Sequence, residues 1–225
     1  MQIRAVAIAV MAGLALTGCG VTRTVTGEVS PQVAATITLK PTLGAPLSKA
    51  ETEFATDVIS ARLKTLGVGT FSIAAGNDIK VSIDGGVDVF AAQLAVQTPG
   101  VLQFVINLGV GASPATVGGT AAGLAPLWPG DEVVAVSSGT DSGGHQTISI
   151  QLTDAGATAF AAYTGSHIGE QLVIALDQQV LAVQAIEAPA AGGTTLTFVA
   201  PGFLPANALM AILLNGPLPP GWRQA

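Results

Sequence analysis

Between Ala35 and Leu108 the apolar residues switch from alternate positions to helical spacing and back, in the order β-α-β-β-α-β. This succession constrains the fold more than any single motif. Ala35-Thr36-Ile37-Thr38-Leu39 alternates and predicts a strand. Ser48, with Glu51 three positions on, is a capping-box pattern at a helix start. Phe54, Val58, Ile59, Leu63 and Leu66 then recur at helical spacing, and Gly67 ends the run. Thr70 to Ala74 and Ile79 to Ile83 read as strands joined by the turn Gly76-Asn77-Asp78. A second helix fits Asp88 to Gln97, stopped by Pro99-Gly100, and Val101 to Leu108 reads as the last strand. The order is that of a ferredoxin-like unit.

Residues 109–131 hold no charge before Asp131 and are rich in Gly, Ala, Ser and Pro. They read as a linker or long loop, and as the hinge of the molecule together with Pro201-Gly202. A second periodic block follows. Glu132 to Val136 and Gln146 to Leu152 read as strands around a loop at Ser137 to Gly144. Thr153-Asp154 opens a helix to about Gly165. Leu172 to Leu176, Val180 to Ile186 and Thr195 to Val199 read as strands, the first two joined by a turn at Asp177. Pro205 to Asn215 is a closing helix that Gly216-Pro217 stops. The fold class is therefore α+β, in two units.

The start of the chain indicates its compartment. Arg4, an apolar run from Ala5 to Leu16, and Leu16-Thr17-Gly18-Cys19 have the layout of an export signal. The run is shorter than the roughly 20 residues a spanning helix needs. Leu-Thr-Gly-Cys resembles the lipobox of bacterial lipoproteins, which implies a signal peptide at 1–18 and a lipid on Cys19. The other reading is an ordinary secretory signal cut near Gly20. Cys19 is the single cysteine, so no disulfide forms within the chain. Residues 19–34 read as a tether. The net charge of −6, without a basic cluster, argues against nucleic acid as a partner.

The C-terminal block carries a resemblance. Leu152-Thr153-Asp154-Ala155-Gly156-Ala157, then Gly169-Glu170-Gln171-Leu172-Val173-Ile174-Ala175-Leu176-Asp177, Gly192-Gly193, and Gly216-Pro217-Leu218-Pro219 follow one another. This series resembles the extracytoplasmic P1 domain of the protein-export component SecD, chiefly its head subdomain. Upstream, Ile59 to Val68, Asp78 to Ile83 and Gly100 to Phe104 are similar to the preceding part of P1. The turn departs from the family, with Gln178 where Gly is common, and so does Gly202-Phe203-Leu204 before the last helix. The resemblance implies a P1 base-like unit at 35–110, a linker at 111–131 and a head-like unit at 132–225. It implies a membrane-anchored binding module on the extracytoplasmic face of the cell membrane. Its partners would be Sec translocon components or unfolded exported chains. The membrane-spanning part of SecD has no counterpart in the sequence, so an energy-coupled role is not carried over. The alternative is a lipoprotein that reuses the fold for structural or ligand binding at the cell envelope.

The residues point to no enzyme and no cofactor. His145 and His167 lack metal-ligand spacing to other donors. Ser137, Ser138 and Ser142 stand near Asp141 and His145 without a nucleophile elbow, and read more simply as a hairpin loop. Asp84 and Asp88 around Gly85-Gly86 lack the ligand count of a calcium loop. No catalytic or metal residue is assigned.

Overall fold

The structure is a computed structural model that describes residues 33–41, 48–84, 87–107, 115–122, 124–129, 132–190, 195–220 and 222–224. The expected signal at 1–18, Cys19, and the tether up to residue 32 lie outside the described residues.

The first unit starts at strand β1 (Val33–Pro41), two residues inside the expected tether. Helix α1 (Lys49–Thr65) begins on the expected capping box: Ser48 accepts from the Glu51 backbone, and the Glu51 carboxylate accepts from Ser48 N at 2.9 Å. Strands β2 (Phe71–Ala75) and β3 (Ile79–Asp84) form the expected hairpin. Helix α2 (Val89–Gln97) starts on Asp88, whose side chain accepts from Ala91 N. That bond gives Asp88 a helix-capping role.

Strand β4 (Leu102–Asn107) has the expected position in sequence but not the expected partners. It pairs with β5 (Ala125–Pro129) and with β8 (Gln171–Leu176), outside the first unit. The first sheet is instead completed from the other end of the chain. Strand β11 (Trp222–Gln224) pairs antiparallel with β1, giving the order β11-β1-β3-β2. Burial explains the exchange. Leu102 and Phe104 join the core of the second unit, whereas Leu218 and Trp222 join Ile37, Leu39, Ile59, Leu63 and Val81 in the core of the first. The boundaries expected at 110 and 132 move accordingly.

The second unit has two sheets. Strands β6 (Val133–Thr140), β7 (Gln146–Leu152) and β10 (Thr195–Val199) form one, in the order β10-β7-β6. Strand β6 runs through Ser137 to Thr140, which the sequence reading placed in a loop. Ladder bonds to Gln146 through Ser149 hold these small residues extended. The other sheet has the order β5-β4-β8-β9, with β9 at Gln179–Ala185. Helix α3 (Asp154–Ser166) starts on Thr153, which accepts from Gly156 N at 3.0 Å. Helix α4 (Ala206–Asn215) packs on α1, α2 and β6.

The main core of this unit lies between its sheets, with Ile148, Ile150, Phe198, Leu172, Ile174, Leu181, Leu209 and Ile212. Strand β8 is buried at every position from Leu172 to Leu176, so both of its faces need cover. The second face is covered partly by the stretch expected to be a linker. Ala121, with Ala115 and Leu124 packed alongside, meets Val105, Val173, Ala175 and Val180. Gly118 N donates to Val180 O at 2.8 Å, and Ala121 N to Gln178 O at 2.6 Å. Residues 115–122 and 124–129 are thus part of the unit. The prolines of β5 stand on an edge strand, where a missing N–H is tolerated.

Candidate functional site

Two features stand out: a groove in the second unit, and the joint between the two units.

The groove runs between the outer side of β9 and the outer side of β10. At its start β9 is paired by the 118–121 segment, where Val180 N donates to Gly119 O at 2.9 Å. Beyond Val180, no strand pairs with its outer side among the described residues. Among the described residues strand β10 pairs only with β7. The groove holds about 520 Å³ and is lined by Val117, Leu181–Gln184 and Thr197–Gly202. None of these residues carries a charge. Val117 and Val199 are about half exposed, at 55% and 49%, so the walls present apolar surface to solvent. One side chain spans the gap: Gln184 Nε2 donates to Thr197 O at 2.8 Å. An unpaired strand edge offers backbone donors and acceptors to any extended chain. Apolar walls beside it add side-chain burial without selecting a sequence.

The joint is built on Arg62. The buried stripe of α1 is Ala55, Val58, Ile59, Arg62 and Leu63, so the arginine points into the protein and is 0% exposed. Its Nη1 donates to Ala95 O at 2.9 Å and Thr98 O at 2.6 Å; its Nη2 donates to Pro99 O at 3.0 Å and Gly216 O at 2.6 Å. These acceptors lie at or just past the C-terminal ends of α2 and α4, where helix carbonyls lack partners and the dipole is negative. Burial pushes the Arg62 pKa down to about 10, opposed by the charge of Asp177.

Asp177 closes the joint from the other side. Its Oδ2 accepts from Gly100 N at 2.9 Å and its Oδ1 from Val101 N at 2.8 Å. Burial raises its pKa, and these backbone bonds and Arg62 oppose the rise. Asp177 and Gln178 make the β8–β9 turn with φ of 50° and 68°, both in the left-handed region. A cleft of about 300 Å³ lies here between Leu94, Gln97 and Thr98 on one side and Leu176, Asp177 and Leu204 on the other. The sequence reading gave Asp177 only a turn role and did not single out Arg62. The signal was present, since a basic residue occupied the apolar stripe of a helix.

The residues weighed for catalysis do not assemble into one centre. His145 Nδ1 lies 3.0 Å from Asp141 Oδ2 at the exposed β6–β7 turn. Asp141 also accepts from Gly143 N and His145 N, both at 2.8 Å, and this bonding lowers its pKa. Among the described residues no serine hydroxyl bonds His145. His167 lies apart, stacked on Tyr163 with its Nδ1 2.8 Å from Tyr163 O. Burial, helped by Glu170, pushes the Tyr163 pKa up to about 12. Among the described residues no three His, Cys, Asp or Glu side chains converge to hold a metal ion. None of the helices among those residues is long and apolar enough to cross a membrane.

Comparison with known proteins gives this arrangement a family context. Residues 120–220 match the family model of the SecDF P1 head subdomain. Over 96 residues the chain is 34% identical to the protein translocase subunit SecD of Rhodobacter capsulatus, a match covering 43% of this chain and 17% of that protein. A crystal structure of SecDF in a super-membrane-facing form superposes with a TM-score of 0.70 at 23% identity, over 84% of this chain and 29% of that one. A second structure, from work on a membrane component SecDF that enhances protein export, gives a TM-score of 0.69 at 22% identity. It covers 85% of this chain and 98% of the other. The family-model match lies at residues 120–220, and the structural match shows the same fold over most of the chain. Residues 120–220 therefore match a SecD-type P1 head, and the chain spans well under two thirds of the length of the curated relative it matches.

Proposed function

We propose that this protein is a lipid-anchored, extracytoplasmic module that holds extended, still-unfolded exported chains close to the Sec machinery. The observation that carries the reading is the groove between β9 and β10, where two strand edges flank uncharged, partly exposed walls. An unfolded chain is an extended backbone with irregular apolar side chains. Edge pairing satisfies the first and Val117, Val183 and Val199 offer burial to the second. In this reading the head grips the chain, the first unit supports the head, and the lipid on Cys19 anchors the module to the membrane.

The test is crosslinking in cells, with a photoreactive residue at Val199 in the groove and a control at Gln178 on the β8–β9 turn. Adducts from Val199 with many nascent exported proteins, or with Sec components, are the expected result. A single discrete envelope partner, or none, would overturn the export role and favour a lipoprotein that has reused the fold. Mass spectrometry of the purified protein tests the anchor separately: the expected product begins at a diacylated Cys19. Cleavage near Gly20 without lipid would remove that part of the reading.

A further inference from the structure

We infer, given the groove as the site where exported chains bind, that a chain enters it as a strand added to the outer edge of β10, and that Gln184 occupies this edge in the free protein as a stand-in for a peptide amide. The segments taken are then uncharged, with an apolar residue at every second position.

The ladder between β10 and β7 decides which backbone groups face the groove. Ala200 N donates to Gln146 O at 2.8 Å, which makes Val199 and Thr147 a pair that exchanges no backbone bonds. Two residues back, Thr197 and Ser149 form the same kind of pair. Thr195, Thr197 and Val199 therefore turn their backbone groups away from β7. Thr197 confirms this independently, because its carbonyl accepts from Gln184 Nε2 at 2.8 Å. Among the described residues it is the one outward backbone group of β10 with a bond partner. Strand β9 is less open. Gly118 N donates to Val180 O and Val180 N to Gly119 O, so its start is already occupied. The edge with room for a strand along its whole length is β10.

The groove also shows which group it accepts. A primary amide is the side-chain group most like a peptide bond, and Gln184 places its N–H where an added strand would place a backbone N–H. This single exposed bond blunts the edge, and a peptide donor replaces it at small net cost. Side chains set the class of segment. Along β10 Leu196 and Phe198 are buried, while Thr195, Thr197 and Val199 are exposed. An added strand shares that alternation, with one set of side chains inward beside Phe198 and Leu181 and the other in solvent. No lining residue carries a charge, so an inward charged side chain would lose water without a counter-charge.

Binding of a short labelled peptide of alternating valine and serine to the full-length chain, read by fluorescence anisotropy, tests the inference. N-methylation removes the amide donors of one alternate set at a time. Methylating the set that faces β10 is expected to weaken binding at least about tenfold, and methylating the other set to leave it within about twofold. The sensitive set is the serines if the peptide runs antiparallel to β10, and the valines if it runs parallel. Equal sensitivity of both sets, or of neither, would overturn strand addition while leaving the groove as a binding site. Loss of the stand-in in Q184A is expected to tighten binding about two- to fivefold. Unchanged or weaker binding by Q184A would overturn that role. Replacing the valines of the peptide with aspartate is expected to abolish binding, and retained binding would overturn the uncharged class. If the unmodified peptide does not bind, or binds V199K equally well, the groove is not the site, and the underlying proposal fails together with this one.

Discussion

One strand edge in each unit is treated differently. In the first unit the Leu39–Pro41 end of β1 is paired by β11, which returns from the far end of the chain and buries Trp222 at 3% exposure. In the head, among the described residues, β9 and β10 leave edges facing a groove, and the Gln184 amide crosses between them. An open edge is a hazard for aggregation, and proteins usually cover or charge it. The first unit follows that rule at β1. The head departs from it at an uncharged, apolar-walled site, and that departure is the ground on which binding is proposed for the head.

Four variants would break or sharpen this contrast. The largest expected effect comes from W222A, which removes the side chain that seats the covering strand. Large-to-small changes of a buried Trp cost about 3–5 kcal/mol. Urea unfolding should report a loss in this range, and a loss below about 1 kcal/mol would mean that β11 does not close the sheet. G100A comes next. It places a methyl group against Arg62 at a backbone angle that favours glycine, with an expected cost of about 2–3 kcal/mol by thermal unfolding.

V199K should separate binding from stability. Val199 is half exposed, so its replacement is expected to change unfolding free energy by no more than about 0.5 kcal/mol. Capture of an unfolded polypeptide should fall about tenfold, since a lysine on an edge strand opposes strand addition. Unchanged capture would move the binding site away from the groove. The smallest effect is expected from Q178G. Gln178 sits at φ 68°, a conformation that costs a side-chain-bearing residue more than glycine, so the change should stabilise the protein by about 0.5–1 kcal/mol. Destabilisation instead would show that the Gln178 side chain contributes more than its backbone strain costs.

Local features were legible because their causes are local. Ser48 and Glu51 satisfy helix-end donors three residues apart, and Thr153 does the same for α3. Periodicity identified β4 as a strand, since alternate burial needs no knowledge of the partner. Its neighbours were not legible. A strand at Val101 to Leu108 fits the first sheet or the head equally well by pattern, and Phe104 decides for the head only through contacts with distant residues. Residues 115–122, expected within a linker, misled for a related reason. Their small residues look like a linker, yet small residues are what fit closely against the fully buried β8.

The site divides along the same line. The sequence by itself determined the elements, their caps, the Asp177 turn and the likeness of the C-terminal block to a SecD P1 head. Each rests on hydrogen bonds or spacing within a few residues, or on a pattern readable in order. Only the tertiary structure decided that β11 rather than β4 closes the first sheet, that two edges face one groove, and that Arg62 bonds carbonyls at the ends of both α2 and α4. The first and the last of those outcomes depend on groups more than a hundred residues apart, such as Arg62 and Gly216. Pairing at that separation is decided by which surfaces bury together, which no local pattern encodes.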